Sequence, residues 1–352
     1  MKPNQTTCKG IVLKDVPPES QSNPATSNAG TVAPLDQDAP SYINDPPPKV
    51  AILLCTYQGE RHLTDQLESF EIQSHSNWEV WASDDGSEDD TRAILEAYRE
   101  KWPEGRLSIH SGPAKGFAEN FISLTRKATI EADYYAYSDQ DDIWEANKLE
   151  RAVRWLRTVP TNVPALYCSR TRLVDTNNNE IGLTPLFLKP PSFANALVQN
   201  IGGGNTMVFN NGARTLISET EINTPIVSHD WWAYLLVTGC GGRLFYDCMP
   251  SLRYRLHATN LIGADSSWSL RIKRLGQLWQ GRFRNWTDSN IAALLKLESK
   301  LTPENRLILE RFARARQMGL VFRLINIKRS GVHRQTFLGD LGLLIASIFR
   351  RL

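Results

Sequence analysis

The sequence is poor in the features that mark several large protein classes. It holds five cysteines in 352 residues, an odd number, with no Cys-x-x-Cys pair. That pattern excludes a disulfide-stapled secreted module and a thiolate metal site. Reduced thiols in a cytoplasmic setting are expected, with Cys55 and Cys168 as small core residues. No amino-terminal stretch has the apolar core of a secretory signal. The apolar run from Phe337 to Phe349 is shorter than the ~20 residues needed to span a bilayer. Overall charge is slight, a formal +2.

What is present is ample and uneven. With 41% hydrophobic and 22% charged residues, the chain can bury a full core, one large domain with extensions. From Trp268 to Leu352 there are 17 Lys and Arg against 5 Asp and Glu, a net +12 that leaves −10 for the remainder. A basic end of this kind fits an anionic partner, either nucleic acid or the lipid-phosphate face of a membrane.

Residues 1–48 carry 9 of the 19 prolines with many Ser, Asn and Thr, and are expected to form a disordered leader. Order is predicted from Lys49. Val50-Ala-Ile-Leu-Leu-Cys55 is an unbroken apolar run, the pattern of a strand buried on both faces of a parallel sheet. Thr56 to Glu60 follows as a loop, then a helix bearing Leu63, Leu67 and Phe70. Trp78 to Ser83, the acidic loop Asp84 to Thr91 and a helix with Ile94, Leu95 and Tyr98 repeat the plan. A third unit runs from Leu107 through Gly112-Pro-Ala-Lys-Gly116 to a helix with Phe117, Phe121 and Ile122. Such alternation predicts an α/β fold with an open, mainly parallel sheet and ligands at the carboxyl ends of its strands.

The fourth strand, Tyr134 to Ser138, ends in three carboxylates within four positions, Asp139, Asp141 and Asp142. Such a cluster repels itself unless a cation joins it, and hard carboxylate oxygens suit Mg²⁺ or Mn²⁺ shared with substrate phosphates. Three readings stand beside that one. Asp142 or Asn147 would cap the following helix; a calcium loop would need a Gly and a distal Glu that are missing; a phosphatase would use Asp139 as its nucleophile. Asp84 and Asp85 offer acceptors for a pyrimidine N–H, or form a tight turn and a cap.

Four segments in order, Thr56-Tyr-Gln-Gly-Glu60, Ser83 to Thr91, Lys115-Gly-Phe-Ala-Glu-Asn120 and Ser138-Asp-Gln-Asp-Asp-Ile-Trp144, resemble the successive motifs of the family 2 inverting glycosyltransferases. Within that family they are most similar to the rhamnosyltransferase-like branch of bacterial polysaccharide synthesis. The resemblance runs from about Lys49 to about Ala264. It implies a GT-A fold: a nucleotide-binding half at 49–145 with helices on both faces of its sheet, an acceptor half at 146–264, and a basic helical extension at 265–352. By that likeness Thr56, Tyr57, Glu60 and Asp85 hold the base and ribose, Asp139 the ribose or sugar, and Asp141 the metal. Lys115 stands where relatives carry an Asn-x-Gly run, and either contacts the nucleotide or is solvated.

The second half carries further candidates. Gly203, Gly204 and Asn205 border the acceptor in the resembled family, although a plain flexible connection fits the triple glycine equally. In Ser228-His-Asp-Trp-Trp232, Asp230 matches the catalytic base position, with His229 replacing a common Glu and Trp231 beside the acceptor; an N-cap Asp with core tryptophans is the structural alternative. Arg255 and His257 supply cationic or donor groups for a departing diphosphate, and His257 is a candidate metal contact.

From Trp268 to Arg284 apolar and basic residues alternate as on an amphipathic helix. The Phe337 run, ending in Arg350 and Arg351, either lies on a membrane surface, or caps the domain or forms a dimer contact. The expected protein is a cytoplasmic enzyme, peripheral at the inner face of the membrane, that moves a sugar from a dTDP- or UDP-sugar to a saccharide or lipid-linked acceptor. The competitors are the phosphatase and a nucleic-acid-binding module, for which the basic end is the motive.

Overall fold

The computed structural model describes residues 11–12, 46–256 and 282–352. The strands are β1 (Ile11–Val12), β2 (Val50–Thr56), β3 (Trp78–Asp84), β4 (Leu107–Ser111), β5 (Tyr134–Ser138), β6 (Ile143–Trp144), β7 (Ala165–Ser169), β8 (Arg172–Val174), β9 (Glu180–Leu183), β10 (Val208–Asn210), β11 (Arg243–Asp247) and β12 (Leu252–Arg255). The helices up to this point are α1 (Leu63–Glu71), α2 (Thr91–Lys101), α3 (Phe117–Arg126), α4 (Lys148–Leu156), α5 (Phe193–Ala196), α6 (Asn211–Ser218) and α7 (His229–Gly239). The expected β-loop-α alternation is therefore present, and the strands begin where the apolar runs begin.

Eight strands form one sheet in the order β1-β11-β7-β10-β5-β2-β3-β4. Strands β5, β2, β3 and β4 run parallel, whereas β10 is antiparallel to both β5 and β7. The sheet thus continues from the first half of the chain into the second. Ile11–Val12, within the stretch expected to be an unstructured leader, pairs antiparallel with the edge strand β11. A smaller sheet, β6-β12-β8-β9, stands beside the cleft described below.

Every residue of β2 is buried, as a central parallel strand requires. Because side chains alternate, Val50, Ile52 and Leu54 pack with Leu67, Phe70 and Trp78 on one face, while Ala51, Leu53 and Cys55 join Phe121 and Tyr137 on the other. That second core runs on through Trp232 and Leu235 of α7 to Leu309, Phe312 and Leu343. The carboxyl-terminal helices Arg282–Lys296, Pro303–Gln317, Leu320–Arg329 and Phe337–Ile348 are thereby docked on the sheet domain. Thr302 caps the second of them by accepting from Asn305 N, ahead of Pro303 at its first turn. Among the described residues no helix is long and apolar enough to cross a membrane. Most of the basic amphipathic pattern from Trp268 lies outside the described residues.

Parallel register sets the position of the site. Thr56 pairs with Asp84, Leu54 with Ser138, and Asp84 with Ser111. The loops that follow β2, β3, β4 and β5 therefore leave the sheet at one level of one edge.

Candidate active site

At that edge lies a cleft of about 770 Å³. Thr56 and Tyr57 from the first loop, Asp85 and Gly86 from the second, Ala114 and Gly116 from the third, and Asp139, Gln140 and Asp141 from the fourth line it. Phe117, Asn120 and Phe121 of α3 and Tyr254 of β12 complete the wall. Five expected nucleotide or metal residues, Thr56, Tyr57, Asp85, Asp139 and Asp141, thus meet in one place.

Side-chain to backbone hydrogen bonds fasten these loops together. Asp85 accepts from Ala114 N at 2.7 Å and from Gly116 N at 2.9 Å, which grips the third loop. The Gln140 amide pairs with Tyr57 in both directions, accepting from its N at 2.7 Å and donating to its O at 2.8 Å. A Cβ on Gly59 would stand 2.3 Å from Gln140 Oε1, so this close approach requires glycine. Asn120 binds Ser83 reciprocally, accepting from Ser83 Oγ at 2.6 Å and donating to Ser83 O at 3.0 Å.

The acidic corner divides into two unlike parts. Asp139 lines the cleft, and burial, with the charges of Asp141 and Asp230, pushes its carboxyl up to about 7, while Lys148 opposes the shift. Asp142 is buried behind it and accepts from Asn205 Nδ2 at 2.6 Å. Burial pushes the Asp142 carboxyl well up and the Lys148 ammonium well down. Lys148 donates to Asn205 O and lies 3.3 Å over the Trp144 ring. A basic side chain beside the buried carboxylates is therefore built into α4.

Several expected ligands are placed elsewhere. Asp84 spends its carboxylate on the protein, accepting from Thr56 Oγ1 at 2.9 Å, Ser87 Oγ at 2.5 Å and Ser87 N at 3.1 Å. It shapes the loop and does not line the cleft. Glu60 ties its loop to the next by accepting from Asp90 N at 3.1 Å. Lys115 reaches away to Asn223 Oδ1 at 3.0 Å. Arg255 is buried, pairs with Asp65 at 2.7 Å and donates to the Asp141 carbonyl at 3.3 Å, so it braces the Asp141 loop from behind. His257 lies outside the described residues.

The segment expected to meet the acceptor is mostly packing. His229 is buried, stacked on Phe121 at 3.8 Å and edge-on to Tyr137 at 4.8 Å. Neither of its ring nitrogens has a hydrogen-bond partner, and burial lowers its pKa to about 4. A Cβ on Gly204 would fall 2.2 Å from His229 Nε2, so Gly204 is the space in which this imidazole sits. Asn205 is buried under Asp142. Trp231 is buried and donates to Ala196 O at 2.6 Å. Gly203 is exposed, but a Cβ there would meet the Asn205 amide oxygen at 2.7 Å.

Asp230 stands in the first turn of α7, oriented by Asn200 Nδ2 at 3.0 Å, Gly204 N at 3.2 Å and Trp231 N at 2.7 Å. Its charge is among those that raise Asp139, Tyr137 and Tyr254, so it lies near them, although it is not among the residues that line the cleft. Tyr254 is a wall residue that the motif Tyr-Arg-x-His hides. Strand alternation in β12 sends Tyr254 and Arg255 to opposite faces, and the tyrosine is the one that faces the cleft. Gln140 reads as a spacer between two aspartates, yet it is the clamp on Tyr57.

Residues 51–215 match the profile described as Glycosyl transferase family 2. A dTDP-rhamnosyl transferase of Shigella flexneri, RfbG, is 29% identical over 237 residues, spanning 63% of this chain and 78% of that one. Residues 51–215 thus resemble glycosyl transferase family 2. A second relative, the UDP-Glc:alpha-D-GlcNAc-diphosphoundecaprenol beta-1,3-glucosyltransferase WfgD of Escherichia coli, is 29% identical over 193 residues, 53% of this chain and 69% of that one. Among solved structures, S. aureus TarS 1-349 in complex with UDP-GlcNAc superposes with a TM-score of 0.49 at 15% identity, covering 80% of this chain and 90% of that one. The enzyme is a glycosyltransferase, with the α/β sheet and the carboxyl-terminal helices expected of it.

The donor set of this site can be weighed against a divalent metal. Among the described residues no group of three or more His, Cys, Asp or Glu is arranged to hold an ion alone. Two carboxylates, Asp139 and Asp141, line the cleft together. One or two carboxylates are what Mg²⁺ takes when phosphate oxygens and water fill the remaining positions. The residues present therefore fit a metal that arrives with its nucleotide.

Proposed function

We propose that this glycosyltransferase moves rhamnose from dTDP-rhamnose to a saccharide carried on a lipid diphosphate, at the cytoplasmic face of the membrane, in the assembly of a cell-surface polysaccharide. The observation that carries the reading is the convergence of Tyr57, Asp85, Asp139 and Asp141 on one cleft, with the Asp230 charge felt by Asp139 and Tyr254. The likeness to a dTDP-rhamnosyl transferase supports the donor. The likeness to an enzyme whose name specifies a diphosphoundecaprenol supports the acceptor.

Exposed Tyr57 offers a flat face to the base, and Asp85 holds the third loop closed beneath it. Mg²⁺ or Mn²⁺ held by Asp141, with Asp139 beside it, would neutralise the departing diphosphate. Arg255 fixes the backbone of Asp141 so that its carboxylate stays in the cleft. Asp230 takes the proton of the acceptor hydroxyl as that oxygen attacks the anomeric carbon from the side opposite the diphosphate, which inverts the configuration. The donors at Asn200, Gly204 and Trp231 hold the Asp230 carboxylate in one orientation for that transfer.

Asp230→Asn keeps the volume and removes the base. Transfer is expected to fall about a hundredfold or more, with the Kd for the donor unchanged within about twofold, measured by nucleotide release and by calorimetry. A variant with full turnover would refute the role. A panel of dTDP-rhamnose, UDP-glucose and UDP-GlcNAc, assayed with and without the metal, settles the donor; preference for a UDP-sugar overturns rhamnose.

A further inference from the structure

We infer that the outward faces of the last two helices, Leu320–Arg329 and Phe337–Ile348, form one docking surface for an anionic lipid bilayer. This deepens the reading of a lipid-linked acceptor and rests on it for its purpose, though not for its test.

In the last helix Phe337, Leu338, Leu341, Leu344, Ile345 and Ile348 are all exposed, Phe337 to 81% and Leu338 to 69%. Their spacing of one, three and four residues puts them on a single face. The buried residues Leu343, Ala346 and Ser347 take the opposite face, against the body of the enzyme. The preceding helix packs beside it and repeats the arrangement, with Val321 66% and Phe322 67% exposed while Arg323 and Ile327 face inward. Contiguous apolar exposure on this scale, rimmed by charge, marks an interaction surface.

The charge around it selects the partner. From Gly319 to Leu352 there are six Lys and Arg and one acidic residue, Asp340. Asp340 is turned toward the body, where it binds Lys189 Nζ at 2.7 Å and Arg334 N at 2.6 Å. Lys328, Arg329 and Arg350 are exposed, so cations stand at the ends of both helices. An apolar face bordered by Lys and Arg is the pattern of a helix lying in the interface of a membrane with anionic lipids. A second copy docked face to face would bring the same cations together. The two helices are too short to span, and they lie flat against the protein.

The test is flotation of the full-length protein with vesicles of phosphatidylcholine alone and of phosphatidylcholine mixed with phosphatidylglycerol. The wild type is expected to float with the anionic vesicles and to lose part of that binding in high salt. The triple change Phe322→Glu, Phe337→Glu and Leu338→Glu, all at exposed positions, should weaken flotation about tenfold or more. Arg350→Glu with Arg351→Glu should weaken it several-fold at low salt. Both variants should keep the wild-type rate on a soluble acceptor. A wild type that stays down with anionic vesicles, or a triple variant that floats as well as the wild type, overturns the proposal. A dimer seen by light scattering and lost in the triple variant, without flotation, would assign the face to a second copy instead. Flotation needs no acceptor or donor, so its failure leaves the transfer chemistry standing.

Discussion

The loops after β2, β3, β4 and β5 and the segment from Gly202 to Trp231 carry the same kinds of residue: glycines, amides, aspartates and an aromatic or two. In the loops most of these face the cleft or fasten its walls. In the later segment His229, Gly204, Asn205 and Trp231 fill the core, and Asp230 lies near Asp139 without lining the cleft. The difference lies in what surrounds each stretch. The loops leave a parallel sheet at its open edge, whereas His229, Gly204, Asn205 and Trp231 are packed into the interior, where a polar side chain must find partners or be neutral.

Four variants sharpen that comparison or break it. Lys148→Met removes the ammonium that faces Asp139 and Asp142 and the donor to Asn205. A loss of about 3–5 kcal/mol is expected in denaturant unfolding; a neutral result would mean that the carboxylates need no internal cation.

His229 comes next, through pH. Its folded value of about 4 lies below the unfolded 6.5. The unfolded chain therefore binds more protons between those values, and stability falls as pH drops through that window, by up to about 3 kcal/mol. His229→Leu should lack this acid-side loss while leaving the acceptor KM unchanged. A raised acceptor KM with intact stability would show that the imidazole touches substrate and would break the contrast drawn above.

Asp84→Ala strands Thr56 Oγ1 and the Ser87 donors, at a cost of about 1–3 kcal/mol in the denaturant midpoint. Donor affinity should fall with it, because Thr56 lines the cleft. Lys115→Ala should change stability by less than about 0.5 kcal/mol and leave donor affinity as it was, since its ammonium is engaged with Asn223 at the surface. A clear drop in affinity would return Lys115 to the nucleotide.

Much of the architecture was readable before any coordinates. The run Val50 to Cys55 is apolar at every position because β2 is covered on both faces. The alternation of such runs with amphipathic stretches leaves a parallel sheet as the economical arrangement. From that follow the common edge and the meeting of Thr56, Asp85, Asp139 and Asp141. The roles of Asp84, Glu60 and Arg255 were not readable, since each is taken up by a partner 28 or more residues away or by the turn of its own loop: Asp84 by Thr56 and Ser87, Glu60 by Asp90, Arg255 by Asp65.

The sequence by itself determined the strand–helix alternation of the first half, the edge at which the site forms, and the chemistry of the residues brought there. Those depend on local periodicity and on loop composition, which neighbouring residues carry. Only the tertiary structure decided which member of Asp139, Asp141 and Asp142 faces water and which faces Lys148, and whether His229 is a ligand or a core ring. Burial of Asp142 is set by Asn205, 63 residues on, and that of His229 by Phe121 and Gly204. A side chain's environment is a property of what packs against it, and those partners come from distant parts of the chain.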